Sequence, residues 1–172
     1  MRPTNLMALA LLALSTNLYA LPTDRDQPIH IEADHYVLNQ KAGITTYTGN
    51  VVMDQGSIHI EADKIVIHSN DKKVSRVIAT GTPARFQQQP AEDKAVVVAS
   101  GNTLNYQVTQ DKLSITDNAQ VEQDGSLISG DKITYNILRA VVEANSQPNT
   151  KTRVKVVLQP QNRNDEKAGA KN

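Results

Sequence analysis

The sequence contains no cysteine and no tryptophan, and it has one phenylalanine against five tyrosines. Without cysteine there is no disulfide and no thiolate metal site, so stability has to come from strand pairing and packing. Charge of one sign is missing too: Lys and Arg number 18 and Asp and Glu number 18. That balance argues against nucleic acid as a partner, because phosphate binding needs a basic surplus. Long apolar runs are also lacking. The longest, Leu6 to Leu14 (LMALALLAL), is far short of the roughly 20 residues that span a bilayer. With Arg2 before it and small and polar residues leading to Ala20, residues 1–20 read as a cleavable secretory signal peptide. Leu18, third from the cut, is larger than the ideal small residue, and a buried N-terminal helix is the alternative reading. Removing Arg2 with this segment leaves 17 basic and 18 acidic residues, net −1. An exported, soluble protein without disulfides fits the periplasm or a cell surface.

Valine, isoleucine and threonine are abundant, and they fit a pleated surface better than a helix. No amphipathic helix is visible after residue 20, so the expected class is all-β. Alternating runs recur about every ten residues, broken by turn chemistry. Two are identical hexapeptides, Ile29-His30-Ile31-Glu32-Ala33-Asp34 and Ile58-His59-Ile60-Glu61-Ala62-Asp63. Isoleucines take one face and His, Glu and Asp the other. Beyond the second copy the phase flips to Ile65 and Ile67, which predicts a bulge or corner within one segment. Weaker copies end at Asn102 and Asp131, so Asp34, Asp63, Asn102 and Asp131 are spaced by 29, 39 and 29 residues. A second motif, Thr48-Gly49-Asn50, is echoed at Thr80-Gly81-Thr82-Pro83 and Thr116-Asp117-Asn118, where Gly or Asp suits a corner. Repeats of this length predict stacked strand units in a solenoid-like or jelly-roll body. The expected domain covers residues 21–158, with hairpin turns at 39–43, 54–56, 69–73 and 124–125 and a longer loop at 87–93. Residues 159–172 are polar, charged and nearly free of large apolar side chains, and read as a disordered tail.

The set most like an active site is His30, Glu32, Asp34 and His35, since alternate residues of a strand can present ligands to a metal. The same triad recurs at His59, Glu61 and Asp63, which points to a repeated solvated face. His68 reads as a surface residue. No nucleophile elbow, phosphate loop or Ser-His-Asp order is present. Neither an enzyme nor a cofactor or metal site is expected. The apolar face is more informative: Ile29, Ile31, Ile58, Ile60, Phe86, Val98, Tyr106, Val108, Ile115, Ile128, Ile133 and Tyr135 are candidates for an interior. A dry core and an aliphatic lining for an alkyl chain use the same residues.

The opening Asp26-Gln27-Pro28-Ile29-His30-Ile31-Glu32-Ala33-Asp34 resembles the mature start of the LptA (OstA-like) family of periplasmic lipopolysaccharide-transport proteins. Tyr47-Thr48-Gly49-Asn50-Val51, Gly81-Thr82-Pro83-Ala84-Arg85-Phe86 and Gly130-Asp131-Lys132-Ile133-Thr134-Tyr135 resemble later motifs of that family in the same order. The resemblance implies an antiparallel β-jelly-roll, a folded-over strand stack open at both ends, that carries lipopolysaccharide from inner to outer membrane. It implies lipid contacts at Ile29, Ile31, Phe86, Tyr106 and Val108, to which the apolar pattern adds Ile60, Ile128 and Ile133. It also implies end-to-end self-association and partners in LptC at the inner membrane and the LptD–LptE translocon at the outer. A family lipid-proximal threonine falls at Arg25 here, and Asp117 stands where many relatives carry glycine. Open strand edges would join copies by β-augmentation, with Ile29, His30, Ile31 and Glu32 at one edge and Val154 and Val156, within a 151–158 strand, at the other. The competing expectation is a scaffold that binds protein partners by its edges and has no lipid ligand.

Overall fold

The computed structural model describes residues 24–71, 73–146 and 152–159. The signal-peptide reading of 1–20 and all but the first residue of the 159–172 tail lie outside the described residues. Ten strands form one antiparallel sheet: β1 His30–Glu32, β2 His35–Asn39, β3 Ile44–Gln55, β4 Ile58–Asn70, β5 Lys73–Gln88, β6 Val97–Gln107, β7 Lys112–Gln123, β8 Ser126–Asn136, β9 Val141–Asn145 and β10 Lys155–Val157. The path across it is β1-β3-β4-β5-β6-β7-β8-β10, with β2 also on β3 and β9 also on β8. Each edge of the sheet is thus two short strands, β1 with β2 and β9 with β10. Among the described residues, no helix is long and apolar enough to cross a membrane.

Each of the long strands breaks register near its middle, at Thr48/Val51, Glu61/Lys64, Thr80/Ala84, Ser100/Thr103 and Thr116/Ala119. These breaks line up as a crease, and the sheet folds along it into two leaves. The first leaf contains β1, β10 and residues 51–55, 58–61, 84–88, 97–101, 119–123 and 126–130. The second contains β2, β9 and residues 44–48, 64–70, 73–80, 103–107, 112–116 and 132–136. The phase flip in β4 is this crease: Ile58 and Ile60 are buried before it and Ile65 and Ile67 after it.

Both sequence motifs turn out to be crease crossings. Asp34, between β1 and β2, and Asp63, Asn102 and Asp131 lie on it where the chain runs one way, and Gly49-Asn50, Gly81-Thr82-Pro83 and Asp117-Asn118 where it runs the other. The spacing of 39 arises from the sixteen residues of β5 and the loop before Val97. So the repeat is one creased meander, not a stack of separate units, and β3 to β8 run unbroken through the corners. Left-handed backbone turns the chain there, with φ of +83° at Gly49, +46° at Asn50, +61° at Asp117 and +63° at Asn118. Asn and Asp tolerate this region better than other side chains. Asn50 Nδ2 donates to Asp34 Oδ2 at 2.9 Å, and the Asp34 N–H donates to the Gly49 carbonyl at 3.0 Å.

Candidate functional site

The interior between the leaves is built from apolar rows that run across the strands. In the first leaf Ile31, Met53, Ile60, Phe86, Ala99, Val121, Ile128 and Val156 are successive cross-strand partners. In the second leaf Tyr36, Tyr47, Ile65, Ala79, Leu104, Ile115, Ile133 and Ala144 form a matching row. Beside it runs Leu38, Thr45, Ile67, Val77, Tyr106, Leu113, Tyr135 and Val142. The middle of every row is buried, and burial fades toward both edges. Ile29, Ile31 and Tyr47 are half-buried at one end, Ile128, Val142 and Ala144 at the other. The body is closed by its own side chains at the centre and open at its two ends.

Of the expected lipid-contact residues, Ile60, Phe86, Tyr106 and Ile133 lie wholly inside, and Ile29, Ile31, Val108 and Ile128 are half-buried. Val108 is not on a strand: it begins the 3₁₀ turn Val108–Gln110 between β6 and β7. Val98 faces away from the core, because Val97 and Ala99 take the inward positions. At the edges His30 and Glu32 of β1 are exposed, as is Val156 of β10, while Ile29, expected in the first edge strand, falls just before it. The second edge strand spans Lys155–Val157, so Val154 falls just before it, also exposed. The sequence reading passed over Met53, Val77, Leu104, Leu113 and Val121, although alternation in Val51-Val52-Met53 carries part of that signal.

The His-Glu-Asp face lies outside. His30, Glu32, Asp34 and His35 are exposed, and among the described residues no three metal-ligating side chains converge. His59 Nδ1 meets Asp54 Oδ1 at 2.6 Å, and this hydrogen bond raises the imidazole above its usual value against the opposing effect of burial. Burial, with a smaller contribution from the Asp111 charge, pushes the Tyr106 phenol up to about 12. Burial raises Tyr135 as well.

Two openings reach the interior. One, about 560 Å³, lies at the β8–β9 end beside Val121, Ile128 and Val142. The other, about 740 Å³, is a slit along the free margins of the leaves. Ser57, Gln88 and Gln89 border it from the first leaf, and Tyr106, Asp111 and Ile137 from the second. The 3₁₀ turn Asp24–Asp26 crosses this slit.

An open-ended, creased meander with continuous apolar rows can shelter extended hydrocarbon, and its unpaired edges can extend the rows. The family profile described as "LptA/(LptD N-terminal domain) LPS transport protein" matches residues 30–141. The chain belongs to this family. It is 37% identical over 153 residues to the lipopolysaccharide export system protein LptH of Pseudomonas aeruginosa, covering 85% of this chain and 87% of the relative. It is 36% identical over 156 residues to the lipopolysaccharide export system protein LptA of Escherichia coli K12, covering 90% and 83%. The crystal structure of LptH, titled the LptA-homologous periplasmic component of the lipopolysaccharide transport device of P. aeruginosa, superposes with a TM-score of 0.76 at 35% identity. It covers 81% of this chain and all of that one. The jelly-roll expected from the family resemblance is the fold observed.

Proposed function

We propose that this protein binds lipopolysaccharide by the acyl chains of its lipid A and forms a periplasmic bridge that carries it from inner to outer membrane. The observation that carries the reading is the set of apolar rows that run from one unpaired edge to the other. Burying one CH₂ is worth about 0.8 kcal/mol, so exposing a long acyl chain to water costs on the order of 10 kcal/mol. A lipid with several chains needs a sheltered path, and rows that end at open edges can be prolonged by a second copy. Copies would join head to tail, β10 of one against β1 of the next. The contact is heterologous and does not close on itself. LptC at the inner membrane and LptD–LptE at the outer would take the two ends of the bridge. The protein itself is a carrier without catalytic turnover, delivered by the cleavable segment 1–20.

Acyl chains would sit between the leaves, against Ile31, Phe86, Tyr106, Ile60 and Ile133, with Ile29, Val108 and Ile128 toward the openings. The centre is filled by the protein's own side chains, so loading requires the leaves to part. A photo-crosslinker at Ile31 or Tyr106 should capture lipopolysaccharide, and one at Glu32 should not. Capture at Glu32 alone would place the lipid outside the leaves.

The closed centre also suits a second reading, an edge-binding scaffold with a dry core. Displacement of a fluorescent lipid by lipopolysaccharide, lost in Ile31→Asp, separates the two; edge pairing alone does not.

A further inference from the structure

The segment that crosses the slit is bonded unequally to its two sides. On the first leaf, the Asp24 carboxylate accepts from the Ser57 N–H at 2.7 Å, the Ser57 hydroxyl at 2.8 Å and Gln88 Nε2 at 2.8 Å. Gln55 Nε2 donates to the carbonyls of Arg25 at 3.2 Å and Gln27 at 3.1 Å. On the second leaf the Arg25 guanidinium pairs with the Asp111 carboxylate and reaches the Val108 carbonyl at 3.5 Å. Asp111 is itself fixed: its carbonyl accepts from the Ile137 N–H at 2.8 Å, which ties it to the turn after β8.

We infer that residues 24–27 are a latch, hinged on the first leaf and fastened to the second by Arg25, that controls sideways access of an alkyl chain to the interior. This rests on the lipid-carrier reading. Three features support it. The slit leads to Tyr106, which touches Phe86 of the opposite leaf, so parting its margins uncovers the middle of the apolar rows. The Asp111 side chain is 9% exposed, and a carboxylate that deep is costly without a partner. Losing Arg25 therefore favours a wider, wetter slit. The Arg25 side chain is 40% exposed, so water and salt reach the pair and can loosen it. The hinge bonds and the fastening pair join residues 28 to 86 positions apart, so the latch exists only in the folded meander.

The sequence has no cysteine, so introduced thiols report cleanly. In the mature chain, a water-soluble maleimide should label Ile137→Cys, on the slit wall, several-fold faster when Arg25→Gln or Asp111→Asn is added. High salt should speed labelling of Ile137→Cys alone and leave the latch variants unchanged. The Asp111→Asn form leaves no unpaired carboxylate behind and guards against simple misfolding, with matched circular dichroism as the check. Equal rates in all forms would overturn the latch. In a second arm, Arg25→Cys/Asp111→Cys is bridged by a cleavable bis-maleimide. Association of a fluorescent fatty acid should slow several-fold and recover when the bridge is cut. Binding at an unchanged rate with the bridge in place would mean that chains use the ends, and would overturn the gating role. If the parent binds no probe at all, the lipid-carrier reading fails and gating with it, whatever the labelling rates.

Discussion

Phe86 and Tyr106 meet across the interior from opposite leaves, with ring centroids 6.4 Å apart and planes tilted by 58°. In a chain with one phenylalanine, this pair concentrates much of the aromatic contact that holds the leaves together. Such tilted pairs add about 0.5–1.5 kcal/mol beyond the area they bury. Phe86→Ala should lower unfolding stability by about 3–5 kcal/mol, read from the denaturant midpoint. Tyr106→Phe keeps the ring and should cost far less.

The crease makes a separate prediction. Gly49 has φ +83°, and a Cβ there would sit 2.3 Å from Asp34 Oδ2. Gly49→Ala should destabilise by about 1–3 kcal/mol. Part of that loss is the collision and part the backbone conformation. Adding Asp34→Ala gives up the Asn50 hydrogen bond and keeps a Cβ contact at 2.8 Å, but it removes the carboxylate part of the collision. The double variant should therefore be more stable than the sum of the single losses predicts. A chemical-denaturation cycle over the four forms measures the coupling.

His59 sets a pH dependence of known sign. Its hydrogen bond to Asp54 favours the imidazolium in the folded state, above the ordinary value of 6.5. The stabilisation is therefore fully present below that value and fades as pH rises through the folded pKa. His59 is about a third exposed and Asp54 more than half, so solvent screens the pair and the effect should stay within about 1 kcal/mol. Melting temperatures at about pH 5.5 and about pH 8 should differ more in the parent than in His59→Gln, since only the parent weakens this charged pair as pH rises. An identical difference in both would remove His59 as the source.

Val156 ends the first-leaf row at the β10 edge and is 53% exposed. Val156→Lys should leave the unfolding midpoint within about 0.5 kcal/mol, because no buried contact is lost. A lysine on an open edge opposes strand addition, so the proposed head-to-tail self-association should weaken at least tenfold in sedimentation. Association at parental strength would move the joint away from this edge.

Much of the fold could be read in the sequence, because the crease leaves a local mark. The change of phase between Ile60 and Ile65 forces a corner, and Gly49, Asp117 and Asn118 stand where the backbone turns left-handed. Val96-Val97-Val98 offered no such mark. Three adjacent β-branched residues fit either phase, and only pairing of Val97 with Gln123 and Ala99 with Val121 settles which point inward. Val108 follows a strand in sequence and looks like its continuation, but the chain curls there into the turn that carries Asp111. The Arg25–Asp111 pair, 86 residues apart, has no local signature at all.

The path from β1 to β10 contains eight strands, and neighbours along it are antiparallel. Eight is even, so β1 and β10 run in opposite directions. A second copy that presents its β1 to this β10 in the same orientation therefore meets it antiparallel, and the up-and-down alternation passes the joint unchanged. An odd count would make every such joint parallel. Parity thus keeps the sheet antiparallel through every joint, while the head-to-tail contact gives a row of copies its direction: one terminus shows β1 and the other β10, as the proposed carrier between two different membranes requires.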